Sequence, residues 1–252
     1  FASQLLSRQL DYHSKALKDR GESFYTIGSS GHEGNAAIAA AFRVNDMAFL
    51  HYRDAAFFIQ RSKQAPQAEY AAYKGDITQD MLLSFAASKD DPISGGRHKV
   101  LGSKPLFVPP QTSTIASHLP KALGTAVAIE QAKRIGHASP IPDDSIVICT
   151  FGDASSNHAT AQTAFNTAQW TAYQKLPAPV LYVCEDNGIG ISVKTPTGWI
   201  ANAFQNRDGL DYFFADGLDI AEGYAQVQAA VEHCRRSRRP TFLHLKTPRI
   251  MG

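Results

Sequence analysis

Ser145-Ile-Val-Ile-Cys-Thr-Phe151 runs directly into Gly152-Asp153-Ala154, and a helix-length segment later Val180-Leu-Tyr-Val-Cys184 runs into Glu185-Asp186-Asn187-Gly188. Both runs are short, apolar, rich in β-branched residues and bounded by glycine. That pattern predicts two parallel strands of a βαβ unit. Each acid-amide cluster then falls at the carboxyl end of a strand, the edge where open α/β sheets bind ligands. Asp153 offers a carboxylate and Asn187 an amide oxygen. These are hard oxygen ligands, few enough to leave an octahedral Mg²⁺ free positions for water and a ligand's phosphates. The spacing suggests a magnesium-diphosphate site, although Asp-Asn-Gly after a strand is equally good turn chemistry. Further residues have to decide between the two.

Outward from this pair, residues 2–19 read as a helix, as do His32–Phe42, Asp54–Lys63, 66–74 and 78–87. Met47–Tyr52 reads as a short strand, and Ser88–Gln111 as a long loop of the kind that is functional or disordered. Ile115–Arg134 reads as a helix interrupted early by Pro120. His158–Gln174 and Glu222–Arg236 are further helices, before a last strand from Pro240 to Thr247. Strand and helix alternate with few hairpin signals, which predicts a doubly wound, mainly parallel α/β sheet. There is no internal repeat.

With 252 residues, 44% of them hydrophobic, the chain can bury a substantial core. A formal charge of +2 argues against a nucleic-acid partner. The one dense basic run, Arg235-Arg236-Ser237-Arg238-Arg239, reads as a solvated helix end whose cations suit the macrodipole. Cys149 and Cys184 fall in buried strands and Cys234 in a helix, with neither disulfide nor zinc spacing, which fits a reducing compartment. No segment is apolar for long enough to span a membrane. The start at Phe1 has no signal-peptide shape, and the chain is expected to be a single domain, residues 1–252, forming a portion of something longer.

The stretch from Gly152 to Ser192 resembles the thiamine-diphosphate motif. More closely, Gly152-Asp-Ala-Ser-Ser-Asn-His158 with Phe165-Asn166 and Asn187-Gly-Ile-Gly-Ile-Ser192 is similar to the alpha subunit, or the alpha domain of an alpha-beta fusion, of the decarboxylating component of 2-oxoacid dehydrogenase complexes. The resemblance continues through Gly31-His-Glu-Gly34, Tyr52-Arg-Asp-Ala55, Gly96-Arg97-His98, Ser113-Thr-Ile-Ala-Ser-His-Leu-Pro120 and Pro240-Thr-Phe-Leu-His-Leu-Lys-Thr247. Several ordered blocks are far more specific than one short motif. A nicotinamide reading is weak, because Gly188-Ile189-Gly190 lacks the third glycine of the dinucleotide fingerprint.

The resemblance implies a thiamine-diphosphate-binding fold holding thiamine diphosphate and Mg²⁺. Asp153 and Asn187 would supply side-chain oxygens to the ion, and Ile189 its backbone carbonyl. Tyr52 and Arg53 would contact the diphosphate, a task suited to a guanidinium that can hold phosphate oxygens in bidentate fashion. Gly152, Ala154 and Ser155 belong to the same cofactor-binding motif. Ser113 would lie near the aminopyrimidine and Ile115 under the bend of the cofactor, where a stiff branched side chain is useful. The implied reaction is oxidative decarboxylation of a 2-oxoacid, branched-chain first and pyruvate second, with acyl transfer to the lipoyl-bearing acyltransferase component. Rival readings are an acetoin-cleaving or transketolase-like enzyme and a non-catalytic alpha-like scaffold. A beta subunit or fused beta domain would supply the glutamate that activates the cofactor, in the cytoplasm or the mitochondrial matrix. The small-residue runs Gly34–Ala41 and Ala122–Ala128 would either pack against that partner or serve as internal core.

The chain departs from the family pattern at three positions. Ala154 stands in place of the motif's second glycine, which matters only if that backbone needs positive φ or very close approach. Glu185 stands where relatives usually carry Arg, and its carboxylate would repel phosphate unless turned away or neutralised. His158 replaces a usual acidic residue and reads either as a phosphate donor or as a helix start.

Overall fold

A computed structural model describes residues 1–24, 27–65, 75–111 and 114–251. Five strands, β1 (Ala48–Phe49), β2 (Val147–Gly152), β3 (Val180–Asp186), β6 (Asp211–Asp216) and β7 (Thr241–Lys246), form one sheet in the order β1-β2-β3-β7-β6. Every neighbouring pair is parallel. The expected doubly wound parallel sheet is what the chain forms.

The central strands read as unbroken apolar runs because both faces are covered. Ile148, Leu181, Val183, Leu243 and Leu245 face α1 (Ala2–Asp19), α2 (Asn35–Ala41), α3 (Ala55–Gln64), α4 (Ile77–Phe85) and α8 (Ile220–Ser237). Val147, Cys149, Phe151, Val180, Tyr182, Cys184 and Phe242 face α5 (His118–Arg134), α6 (Ala159–Tyr173) and α7 (Trp199–Phe204). Side chains alternate with period two along each strand, so the register fixes which face every later residue meets. Gly152 pairs with Glu185, and Glu185 thus shares the face of Leu181 and Val183.

Most expected elements appear with their ends shifted by a few residues; one helix start needs correction, and β6, a short hairpin and the six-residue helix α7 were not expected. The helix expected from Ile115 starts at His118. Pro120 therefore lies in its first turn, where the missing N–H has no intrahelical role, and does not interrupt it. Strand β6 was not expected. Its ends are charged and its side chains half-buried at the sheet edge, so it lacks the apolar run of a central strand. The hairpin of β4 (Ile189–Gly190) and β5 (Val193–Lys194) is only two residues a side, too short for a periodic signal. The helix expected over 66–74 lies outside the described residues.

The basic run is not merely solvated. Arg235 pairs with buried Asp46 at 2.5 Å, Arg238 with Glu130, and Arg239 with Asp211 at 3.1 Å, tying the end of α8 to neighbouring elements. Ala36, Ile38, Ala39, Ala122 and Ala126 are buried within the chain itself, so the small-residue runs contribute to its own core. All three cysteines are free and buried. Among the described residues no helix is long and apolar enough to cross a membrane.

Candidate functional site

At the carboxyl ends of β1, β2 and β3 lies a cleft of about 450 Å³, a size typical of ligand sites. Tyr52, Arg53, Ile115, Gly152, Asp153, Ala154, Ser155, Asn187 and Ile189 all line it. Sequence reasoning had gathered these from four separate stretches, and the fold brings them to one place. Ser113 lies outside the described residues. Ile115 is 44% exposed and precedes α5, so it is a cleft residue and not the first core residue of that helix.

Local chain chemistry sets each group. Asp153 opens a short 3₁₀ turn, Asp153–Asn157, directly after β2, which keeps its buried side chain at the strand end. The Thr195 hydroxyl donates to Asp153 Oδ2. Burial pushes the Asp153 carboxyl up, and the Thr195 hydrogen bond offsets only part of that. Asn187 Oδ1 accepts from the Ile189 N–H at 2.9 Å, and Gly188 beside it has φ +72°. Ile191 closes the hairpin at φ +57°, a strained conformation for a β-branched residue. Arg249 Nη1 donates to the Ile191 carbonyl at 2.8 Å and brings a second guanidinium to the cleft.

Arg53 is almost fully buried, with Nη1 donating to the Gly28 carbonyl at 2.5 Å and its guanidinium 5.0 Å from the centre of the Tyr52 ring. His158 lines the cleft and also caps α6, where its Nδ1 accepts from the Thr160 N–H at 3.2 Å. Ala154 keeps negative φ, so the second glycine of the motif is not needed for backbone freedom.

Glu185 points away from the cleft. Its fully buried carboxylate accepts through Oε2 from His32 Nδ1 at 2.7 Å and from His51 Nδ1 at 2.9 Å. Burial alone would raise this carboxyl, but the two imidazoles hold it well below the usual range. Asp54 next to it is pushed well above its range by burial and by the charge of Glu185. The two shifts run in opposite directions, as expected where one carboxyl is favoured as the charged form beside another. The trio His32, His51 and Glu185 has the composition of a metal site. Both histidines stand at hydrogen-bond length from Glu185, however, whereas the ligands of a tetrahedral ion at about 2.0 Å would stand roughly 3.3 Å apart.

The residues suit a diphosphate with a divalent ion. Asp153, the Asn187 oxygen and the Ile189 carbonyl are oxygen donors on one side of the cleft, Arg53, Arg249 and Tyr52 are cations and a hydroxyl lining the same space, and the Glu185 charge is sequestered behind. His32, His51, Thr195 and Arg249 were missed as site residues. Period-two parity from Val183 to Glu185 was the one signal that could have revealed the buried cluster.

Fold and cleft together define a parallel α/β protein whose candidate site is a cleft at the carboxyl edge of its sheet. The family described as dehydrogenase E1 component matches residues 2–252, and the chain belongs to that family. The 2-oxoisovalerate dehydrogenase subunit alpha of Bacillus subtilis (strain 168) is 28% identical over 258 residues, covering 99% of this chain and 70% of that one. The mitochondrial 2-oxoisovalerate dehydrogenase subunit alpha of Homo sapiens is 26% identical, with 99% of this chain and 51% of that one covered. The pyruvate dehydrogenase E1 component subunit alpha of Rhizobium meliloti (strain 1021) is 25% identical, with 84% and 54% covered. The chain thus spans about half the length of the latter two. These relatives are alpha subunits, as the resemblance of the Gly152–Ser192 stretch implied. Transketolase from Campylobacter jejuni subsp. jejuni NCTC 11168 superposes with a TM-score of 0.60 at 14% identity over 97% of this chain and 37% of that one, a likeness of fold.

Proposed function

We propose that this chain is the alpha part of a thiamine-diphosphate-dependent 2-oxoacid dehydrogenase, acting on a branched-chain 2-oxoacid in preference to pyruvate. The observation that carries the reading is the convergence of Tyr52 and Arg53, Gly152 to Ser155, and Asn187 with Ile189 on one cleft. The names of the relatives support the substrate order. The burial of Glu185 behind the cleft, with its carboxylate hydrogen-bonded to His32 and His51, answers the objection that it would face and repel phosphate.

When bound, the cofactor supplies an electron sink for loss of CO₂ from a 2-oxoacid. The residues of this chain bind and orient. Asp153, Asn187 and the Ile189 carbonyl would hold Mg²⁺, whose charge would neutralise the diphosphate. Arg53 and Tyr52 hold phosphate oxygens from the end of β1, and Ile115 presents an apolar side chain to the body of the cofactor. A beta subunit or fused beta domain would supply the further carboxylate that the reaction needs, and a lipoyl-bearing component would be the acyl acceptor.

The test is calorimetry of thiamine diphosphate with and without Mg²⁺ on the protein assembled with its beta part, followed by product analysis with branched-chain 2-oxoacids, pyruvate and acetoin. Magnesium-dependent binding with faster turnover of the branched acids is expected. Absence of cofactor binding would leave the chain as a scaffold, and preferential acetoin cleavage would change the reaction. This chain without the beta part is expected to give no decarboxylation above that of free thiamine diphosphate.

A further inference from the structure

Behind the cleft, a chain of hydrogen bonds connects the buried carboxylate to the Asn187 side chain. Glu185 Oε2 lies 2.7 Å from His32 Nδ1, and on the far side of the same ring His32 Nε2 lies 2.9 Å from Asn187 Nδ2. A carboxylate only accepts, so His32 must carry its proton on Nδ1. An amide nitrogen only donates, so Nε2 must present its lone pair to Asn187. The two demands agree on a single neutral tautomer. A third contact agrees with them, because the Ile189 N–H can donate only to an oxygen and Asn187 Oδ1 lies 2.9 Å away.

The His32 ring is itself held in place. Its residue is 1% exposed, its N–H donates to the Ser29 carbonyl at 2.9 Å, and its carbonyl accepts from the Asn35 N–H at 3.0 Å. The preceding Gly31 has φ +104°, and a Cβ there would stand 2.1 Å from the Pro248 carbonyl oxygen, so the turn admits only glycine. Its carbonyl accepts from the Thr247 hydroxyl at 2.5 Å, which fastens the turn to the segment following β7.

Resting on the reading of Asn187 as a ligand of Mg²⁺, we propose that Glu185 and His32 are positioning residues for that ligand: Glu185 selects the His32 tautomer, and His32 selects which end of the Asn187 amide faces the ion. With the relay intact, the NH₂ group is drawn to His32 and the oxygen is left for Ile189 N–H and the metal. Without the Nε2 acceptor the amide keeps only the Ile189 N–H to tell its two ends apart. Nitrogen then competes with oxygen for the metal side. Partners behind a ligand commonly tune metal affinity in this way.

The test is a double-mutant cycle on the full protein assembled with its partner chain, titrating Mg²⁺ at saturating thiamine diphosphate by calorimetry. His32→Phe should weaken Mg²⁺ binding about ten- to a hundredfold. The two oxygens of a carboxylate are equivalent and need no orienting, so in the Asn187→Asp background His32→Phe should produce no such loss. A loss of equal size in both backgrounds, or no loss in either, overturns the relay. If His32→Phe does not fold, His32→Asn takes its place in the cycle, since it leaves Glu185 a donor but is too short to reach both partners. Asp153→Ala is the separate control. If that variant binds Mg²⁺ as the unmodified protein does, the metal reading itself fails, whereas loss there with an unaffected His32 variant sinks only the relay.

Discussion

Gly190 approaches Ala154 so closely that a Cβ on Gly190 would stand 2.8 Å from the alanine methyl. The β4–β5 hairpin thus closes over the loop after β2, and the methyl of Ala154 is accommodated because its neighbour has none. Gly190→Ala should force the hairpin away from the turn that opens at Asp153, costing about 1–3 kcal/mol as overpacking does. Thermal melts and cofactor calorimetry would both register the change. Adding Ala154→Gly should restore both, and a double variant as impaired as the single one would disprove the steric account.

Asp153→Ala should remove most magnesium-dependent binding of thiamine diphosphate while leaving the apo protein at least as stable as before. The carboxylate is buried and its pKa is raised by desolvation, so in the absence of an ion its charge burdens the fold. The check is a pair of measurements, cofactor affinity and apo melting temperature. A large fall in melting temperature with unchanged affinity would make Asp153 a structural turn residue.

Arg53→Ala should weaken the cofactor roughly ten- to a hundredfold, on the order of 1.5–3 kcal/mol for a charge-assisted contact. The side chain also donates to the Gly28 carbonyl from a buried position, so some thermal stability goes with it. Arg53→Lys keeps the charge but loses the planar fork, and should recover only part of the affinity. Intact affinity in Arg53→Ala, measured by calorimetry, would confine this residue to holding the 28–30 turn.

His118 gives a pH dependence whose sign follows from burial. Its Nε2 donates to the Thr150 carbonyl at 2.8 Å, and desolvation pushes the imidazole down to about 4 from its ordinary 6.5. The unfolded chain takes up a proton as pH falls through 6.5, whereas the folded chain does so only near 4. Stability from this group is therefore fully present above about pH 6.5 and is lost on descending to about pH 4. Melting temperatures of His118→Gln should fall less steeply over that interval than those of the unmodified protein. Parallel curves for the two proteins would show that His118 does not contribute.

The sequence alone determined the parallel central strands of the sheet and most of the residues that line the cleft. Runs such as Ser145–Phe151 and Val180–Cys184 can be apolar throughout only if both faces are covered, and a parallel sheet flanked by helices meets that condition. Once those strands are parallel, residues just after them share one edge, and that is how Asp153 and Asn187 could be placed together before any coordinates. The edge strand β6 and the β4–β5 hairpin carried no comparable signal, one because its side chains are half exposed and the other because two residues have no period. Tertiary structure alone decided where Glu185 points and which groups hydrogen-bond its carboxylate. His32, His51 and Asp54 come from distant parts of the chain, and their mutual approach depends on how α2 and the end of β1 pack behind β3, a relation that local patterning does not encode. The same packing sets the opposite pKa shifts of Asp54 and Glu185 and the orientation of the Asn187 amide, because hydrogen bonds inside a dry core are fixed by distances between elements and not by the order of residues within them.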